Sequence, residues 1–203
     1  MEVTDLLYDH YKETCATMKK SNSERNRLLI TLMIVVAALF LFTVSPDNLL
    51  NALKDWLKDA HSISIDMEYS IVQSLLWIVL LYFTIRYYQI NTSIERQYNY
   101  IHKLEDMISS RICVSFDREG KSYLTSYPKL LDFISFLYRA VIPMLYLAVV
   151  LFKIGNEIYL YEVSFPLVID CILALCCTVL TVLYLYFLHR DYLVNKIKAW
   201  FCK

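Results

Sequence analysis

FPLVIDCILALCCTVLTVLYLYFL, residues 165–188, runs for 24 residues with one formal charge, Asp170. At a helical rise of about 1.5 Å per residue it reaches about 36 Å, enough for a hydrocarbon core of about 30 Å. The apolar residues are continuous rather than alternating, and lipid admits only helices or closed barrels, so the stretch reads as a transmembrane helix.

Three further windows behave alike: Leu28–Val44, Tyr69–Ile85 and Leu131–Phe152. The first two, at about 26 Å, need flanking residues to finish the crossing. Hydrophobic residues make up 58% of the 203-residue chain, well above a soluble domain. Only two glycines occur, Gly120 and Gly155, which argues against tight-turned α/β folds and phosphate-cradling loops. The expected fold is all-α: a polytopic membrane protein with spans at 28–44, 69–85, 131–152 and 165–188. The segments between them are an N-terminal piece (1–27), an outer loop (45–68), a helical extension with a hairpin (86–130), a second outer loop (153–164) and a tail (189–203).

Charge sets the expected orientation. Of 20 Lys and Arg residues, 16 lie in 1–27, 86–130 and 189–203. Only Lys54, Lys58 and Lys153 fall in the other two loops, and Arg139 lies inside the third span. The positive-inside rule then places both termini and the central segment in the cytoplasm. Met1–Arg27 is polar and lacks the basic-then-apolar layout of a signal peptide. Cys15, Cys113 and Cys202 fall on the cytoplasmic side and Cys171, Cys176 and Cys177 in the fourth span, so no disulfide framework is expected.

The segments outside the spans carry their own patterns. Val3, Leu6, Leu7, Tyr11, Cys15 and Met18 suit an amphipathic helix. Lys19, Lys20, Arg25 and Arg27 follow, a basic stretch that either sets topology or meets anionic headgroups. Ser45-Pro46 is a helix start, after which Leu49, Leu53, Trp56 and Leu57 share one face of a helix suited to the membrane interface or to packing as a lid. Arg86–Arg111 contains no Pro or Gly, and Ile94, Tyr98, Ile101, Leu104 and Ile108 form an apolar stripe. The second span is therefore expected to continue as one helix of roughly 40 residues, about 60 Å long. The stripe needs a partner, either the N-terminal helix or a neighbouring subunit. Ile112–Phe116 and Lys121–Leu124, around a turn at 117–120, read as a short hairpin.

No nucleotide-binding loop, paired-cysteine zinc site or histidine pair at ligand spacing occurs. No enzyme activity, cofactor, metal or direct nucleic-acid binding is expected. Arg96 and His102 match the Arg-five-residues-His spacing of HEPN ribonucleases, but a six-residue offset does not put both side chains on one helix face. The expected polar site is intramembrane: Arg139, Asp170 and Gln73, beside Ser74. Ionisable groups in lipid are costly and face a cavity, the bundle interior or each other. With Arg139 about 12 Å from one face and Asp170 about 8 Å from the other, about 10 Å of height separates them. Either boundaries shift and they pair, or Arg139 snorkels inward and Asp170 faces a wet vestibule. Pro143 clashes with the carbonyl of Arg139 and should distort the helix there. The tyrosines at span ends form an interfacial belt.

The length, four spans, cytoplasmic termini and helical segment Arg86–Arg111 resemble small four-span membrane proteins of bacterial antiphage systems. Examples are the Kiwa membrane subunit and the accessory membrane proteins of type VI CRISPR effectors. The resemblance covers the whole layout but no specific motif, and no site residue is carried over from it. It implies a homo-oligomer in the bacterial inner membrane working with a cytoplasmic effector protein. The expected function is a membrane anchor or sensor that recruits this effector through the Ile94–Ile108 stripe; the alternative is an oligomeric channel that depolarises the membrane.

Overall fold

The computed structural model describes residues 3–61, 68–113, 136–160 and 164–201. Five helices follow one another: α1 (Val3–Val44), α2 (Pro46–His61), α3 (Tyr69–Ile112), α4 (Ile142–Leu160, led in by a π-helical turn, Leu137–Val141) and α5 (Phe165–Phe201). No strand occurs among the described residues. Four of the helices are long and apolar enough to cross a bilayer, the layout of a multi-pass membrane protein.

The sequence places the breaks. A proline disfavours the helical conformation in the residue before it, which stops α1 at Val44 and leaves Ser45 between two helices. The Ser45 carbonyl then accepts the first bond of α2, from the Leu49 N–H at 3.2 Å. Ser164 serves α5 the same way, accepting from the Val168 N–H at 3.1 Å. At the end of α3, Cys113 adopts a left-handed conformation, φ 53°, the usual geometry one residue past a helix, here without the usual glycine. The expected hairpin lies outside the described residues beyond Cys113. The tail is helical as far as Phe201, continuing α5.

The chain divides into two compact units, one formed by Met1–Leu29 with Arg86–Arg139, the other by Ile30–Ile85 with Ala140–Lys203. The second unit is inside-out relative to a water-soluble bundle. Ile34 (63% exposed), Leu75, Leu145, Leu175 and Phe187 face outward, whereas Gln73, Thr84, Lys153, Glu157, Asp170 and Thr181 are buried. Water would penalise that outer surface; lipid does not. Its core draws on four helices: Leu32, Val35 and Leu39 of α1, Trp77 and Leu80 of α3, Tyr146 and Val150 of α4, and Ala174 and Cys177 of α5. Thr84 and Tyr146 share a 2.7 Å hydrogen bond across this core, while Thr84 and Thr181 also approach their own helices' carbonyls. Buried Cys177 packs as a small apolar side chain. In α2 the helix forms where Ser45-Pro46 placed it, with Leu49 and Leu53 half-buried and Trp56 58% exposed; the Leu57 side chain lies outside those described.

The first unit answers which partner covers the α3 stripe. Ile101, Leu104 and Ile108 are buried against Tyr11 and Met18 of α1, with Leu7, Cys15 and Tyr98 at the margin, and Ile94 is buried too. The stripe taken as a recruitment surface is thus closed within the chain. Tyr11 pairs with Glu105 and Glu24 with Arg86, so the two segments run antiparallel. Leu6 is left at the surface, 55% exposed.

One repeat runs the length of α3. Gln73, Trp77, Leu80, Thr84, Tyr87, Asn91, Ile94, Tyr98, Ile101, Glu105 and Ile108 alternate steps of four and three, and all are buried except Tyr98, which is half-buried. This 3.5-residue period keeps one seam inward along a helix. The expected stripe, Ile94–Ile108, covers the last five of these positions, with Leu104 beside Glu105. Above it the seam carries polar residues, and an apolar pattern search passes over them. Pro143 also has its expected effect: the turn before it widens into the π-helix Leu137–Val141, which absorbs the proline's missing donor and its clash.

The Tyr11 hydroxyl donates to Glu105 Oε1 at 2.9 Å. Burial, first, and that carboxylate hold the Tyr11 hydroxyl above its ordinary titration range. Glu105 is itself 1% exposed. Replacing Tyr11 with Phe should lower the protection of the first unit against hydrogen exchange by about 1–3 kcal/mol, the cost of stranding a buried polar group, whereas Leu6→Ala should stay within about 0.5 kcal/mol. A raised hydroxyl favours the folded state below the unfolded value of about 10 and loses that support as pH climbs beyond it. Wild type should therefore loosen in alkali more than Tyr11→Phe; equal alkaline profiles would rule this contribution out.

Candidate functional site

The fully buried charges of the second unit converge on one network. On α4, Tyr146, Val150, Lys153 and Glu157 follow steps of four, three and four and share the inward face. Lys153 and Glu157 are 2% and 0% exposed, and their Nζ and Oε1 atoms lie 2.7 Å apart. Lys153 also donates to the Thr43 hydroxyl of α1. From α3, the Trp77 indole N–H reaches Glu157 Oε1 at 3.4 Å. An isolated charge in such surroundings costs far more than a paired, hydrogen-bonded one, which is why the ammonium and carboxylate occur together.

Asp170 of α5 forms the second half. Ser74 Oγ donates to Oδ1 at 2.6 Å and Gln73 Nε2 to Oδ2 at 3.2 Å. Asp170 is 2% exposed, and Lys153 lies within Coulombic reach of it. Beside it opens a cleft of about 140 Å³, lined by Tyr69, Ser70, Gln73, Ser164, Leu167 and Asp170. In the same unit a far smaller cavity, about 10 Å³, is lined by Leu39, Trp77, Leu80, Val150 and Lys153. Among the described residues no group of three His, Cys, Asp or Glu side chains is placed to hold a metal.

Two of the three expected intramembrane residues, Asp170 and Gln73, touch each other. The third does not join them. Arg139 is half-exposed, and its Nε lies 2.7 Å from Glu95 Oε1, ten residues beyond the expected end of the second span at Ile85. Its charge is met by a carboxylate of α3 rather than by Asp170. Tyr138, next to it, accepts a bond on its carbonyl from the Tyr87 hydroxyl at 3.3 Å and stacks on Arg25 at 4.6 Å.

The apolar window ends at Phe152, before the first charge, which puts Lys153 and Glu157 in the expected outer loop. The helix continues to Leu160. Their four-residue separation, in phase with Tyr146 and Val150, is the signal that places them inside. Arg96 is exposed, whereas His102 approaches Glu105 at 3.9 Å.

A water-soluble amine-acylating reagent tests the assignment on the folded chain in micelles. Lys58, which is exposed, should be modified, while Lys153 should react only after denaturation. Comparable native labelling of both would contradict a buried Lys153. No family model matches the chain, and no curated protein or solved structure matches it either.

Proposed function

We propose that the chain is a sensor subunit of a bacterial inner membrane, in which the state of the Lys153–Glu157–Asp170 network is passed along α1 and α3 to the first unit. The observation that carries this reading is continuity. α1 supplies Thr43 to the network and Tyr11 and Met18 to the first unit without a break. α3 supplies Gln73, Ser74 and Trp77 to the network and Ile101–Ile108 to the first unit, on one uninterrupted seam. A helix is stiff along its axis, so a shift of its seam at one end is carried as a change of register or packing at the other.

The charge asymmetry supports cytoplasmic termini, with the Asp170 cleft opening on the opposite side. The antiphage setting, a homo-oligomer and a cytoplasmic effector belong to the proposal on the strength of the four-span layout. The effector's contact is moved off the closed stripe to the outward side of the first unit, where Leu6, Tyr100 and Met107 are exposed. A conduit through a single copy is disfavoured by the small size, about 10 Å³, of the cavity beside Lys153.

Hydrogen exchange on the full chain in nanodiscs tests the relay. Asp170→Asn should change exchange by at least about threefold both near the substitution and in 11–21 and 98–108. Changes confined to the second unit would refute transmission, and a steady unitary current from the wild-type chain in planar bilayers would replace the sensor with a channel.

A further inference from the structure

We infer that an arginine rim on the first unit, Arg25 and Arg27 of α1 with Arg86 of α3 and Arg139 of the π-helical turn, binds the phosphate of an anionic phospholipid headgroup. The inference uses the four-span layout and not the relay, so either can fail without the other.

The first observation is depth. On each segment the exposed apolar surface gives way to arginine within a few residues. Arg27 is exposed three residues before the exposed Ile30, and Arg86 directly follows Ile85. Arg139 stands five residues before the exposed Met144. A hydrocarbon core of about 30 Å inside a bilayer of about 40–45 Å leaves about 5–7 Å of headgroup on each side. At about 1.5 Å per residue, Arg27 and Arg25 lie about 4.5 and 7.5 Å before Ile30, at the level of the phosphates. Lys19 and Lys20, at about 15 Å or more, lie beyond that layer.

The second observation is that contacts within the first unit gather these arginines. Arg86 Nη2 meets Glu24 Oε1 at 3.3 Å, which brings it beside the neighbour of Arg25. Arg25 Cζ sits 4.6 Å from the centre of the Tyr138 ring, and the Tyr138 carbonyl accepts from the Tyr87 hydroxyl. Arg139 Nε meets Glu95 Oε1 at 2.7 Å. Two helices and the turn are thereby tied at one level.

The third observation is charge. Residues 21–29, 86–95 and 137–141 contain four arginines and two glutamates, with no lysine, aspartate or histidine. Arginine does not deprotonate in proteins. Glu24 and Glu95 answer Arg86 and Arg139. Arg25 has no carboxylate among the described residues: its contacts are the Tyr138 ring and Asn26 Oδ1 at 3.5 Å, a neutral acceptor at the outer limit of a hydrogen bond. An arginine held on an aromatic face keeps a planar fork of donors that matches phosphate geometry. The bilayer presents phosphates at this depth at high local concentration, which selects lipid over a soluble anion.

The test is thermal unfolding of the full chain in a neutral detergent, followed by tryptophan fluorescence, with phosphatidylglycerol or phosphatidylcholine added to the micelles. A ligand of the folded state raises the midpoint with concentration. Phosphatidylglycerol should do so saturably above phosphatidylcholine. Taking the difference between the two lipids removes any packing lost at Tyr138. Arg25→Gln and Arg27→Gln should each weaken the apparent affinity for phosphatidylglycerol by about fivefold, the usual worth of one cation beside an anionic surface. Lys19→Gln with Lys20→Gln should change it by less than about twofold, since both stand about a Debye length outside the headgroups. If Arg25→Gln does not fold, Arg27→Gln carries the comparison. Equal midpoints in the two lipids would overturn the site. So would equal weakening by the lysine and arginine variants, which is the behaviour of diffuse attraction. Inorganic phosphate that reproduces the shift at matched ionic strength would overturn the lipid assignment.

Discussion

The contact between Lys153 and Glu157 is the constraint on which the second unit is arranged. Both groups are fully buried in a helix whose other faces present Leu145, Leu151 and Phe152 outward. Neither charge is tolerable there alone. Their four-residue spacing lets one helix supply both, and the remaining valences draw in Thr43 from α1 and Trp77 from α3. Ser74 and Gln73, also from α3, fix Asp170 of α5. Four helices are thus registered against one another by directional contacts. Hydrophobic contact alone would do this poorly in lipid, where the surroundings are as apolar as the side chains.

The same seam accounts for how two environments share two helices. A 3.5-residue repeat is indifferent to whether the exterior is lipid or water. Along α3 the inward positions stay buried from Gln73 to Ile108 while the outward ones change from Leu75 and Ile78 to Arg96 and Lys103. Inward polar residues mark special points on this seam: Gln73 at the network, Thr84 across from Tyr146, Glu105 under Tyr11. The two glycines of the chain lie outside α1 and α3.

Much of the fold was legible in the sequence because lipid imposes long apolar runs, and Ser45-Pro46 and Pro143 fix breaks by local sterics. Less of the site was. A hydropathy window treats a charge as an end of span, so Phe152 became a boundary and Lys153 and Glu157 became loop residues. Helical phase, which places them on the face of Tyr146 and Val150, carries the contrary information. Arg139 was expected either to pair with Asp170 or to snorkel, and its partner, Glu95, is brought by the continuation of α3, which hydropathy does not reveal. Asp170 with Gln73 was recoverable because both are inward polar residues in otherwise apolar helices. The partner of the Ile94–Ile108 stripe was open between two choices, since a period specifies that a face is covered but not by what.

The measurement that bears most directly on this account is a double-mutant cycle on Lys153 and Glu157, read from reversible unfolding of the full chain in mixed micelles. Lys153→Met and Glu157→Gln should each destabilise, with the first stranding a buried carboxylate at a cost of about 3–5 kcal/mol. The double variant should be less destabilised than the sum by about 2 kcal/mol or more. Additive losses, within about 0.5 kcal/mol, are the behaviour of independent sites and would show that the two charges do not organise the bundle.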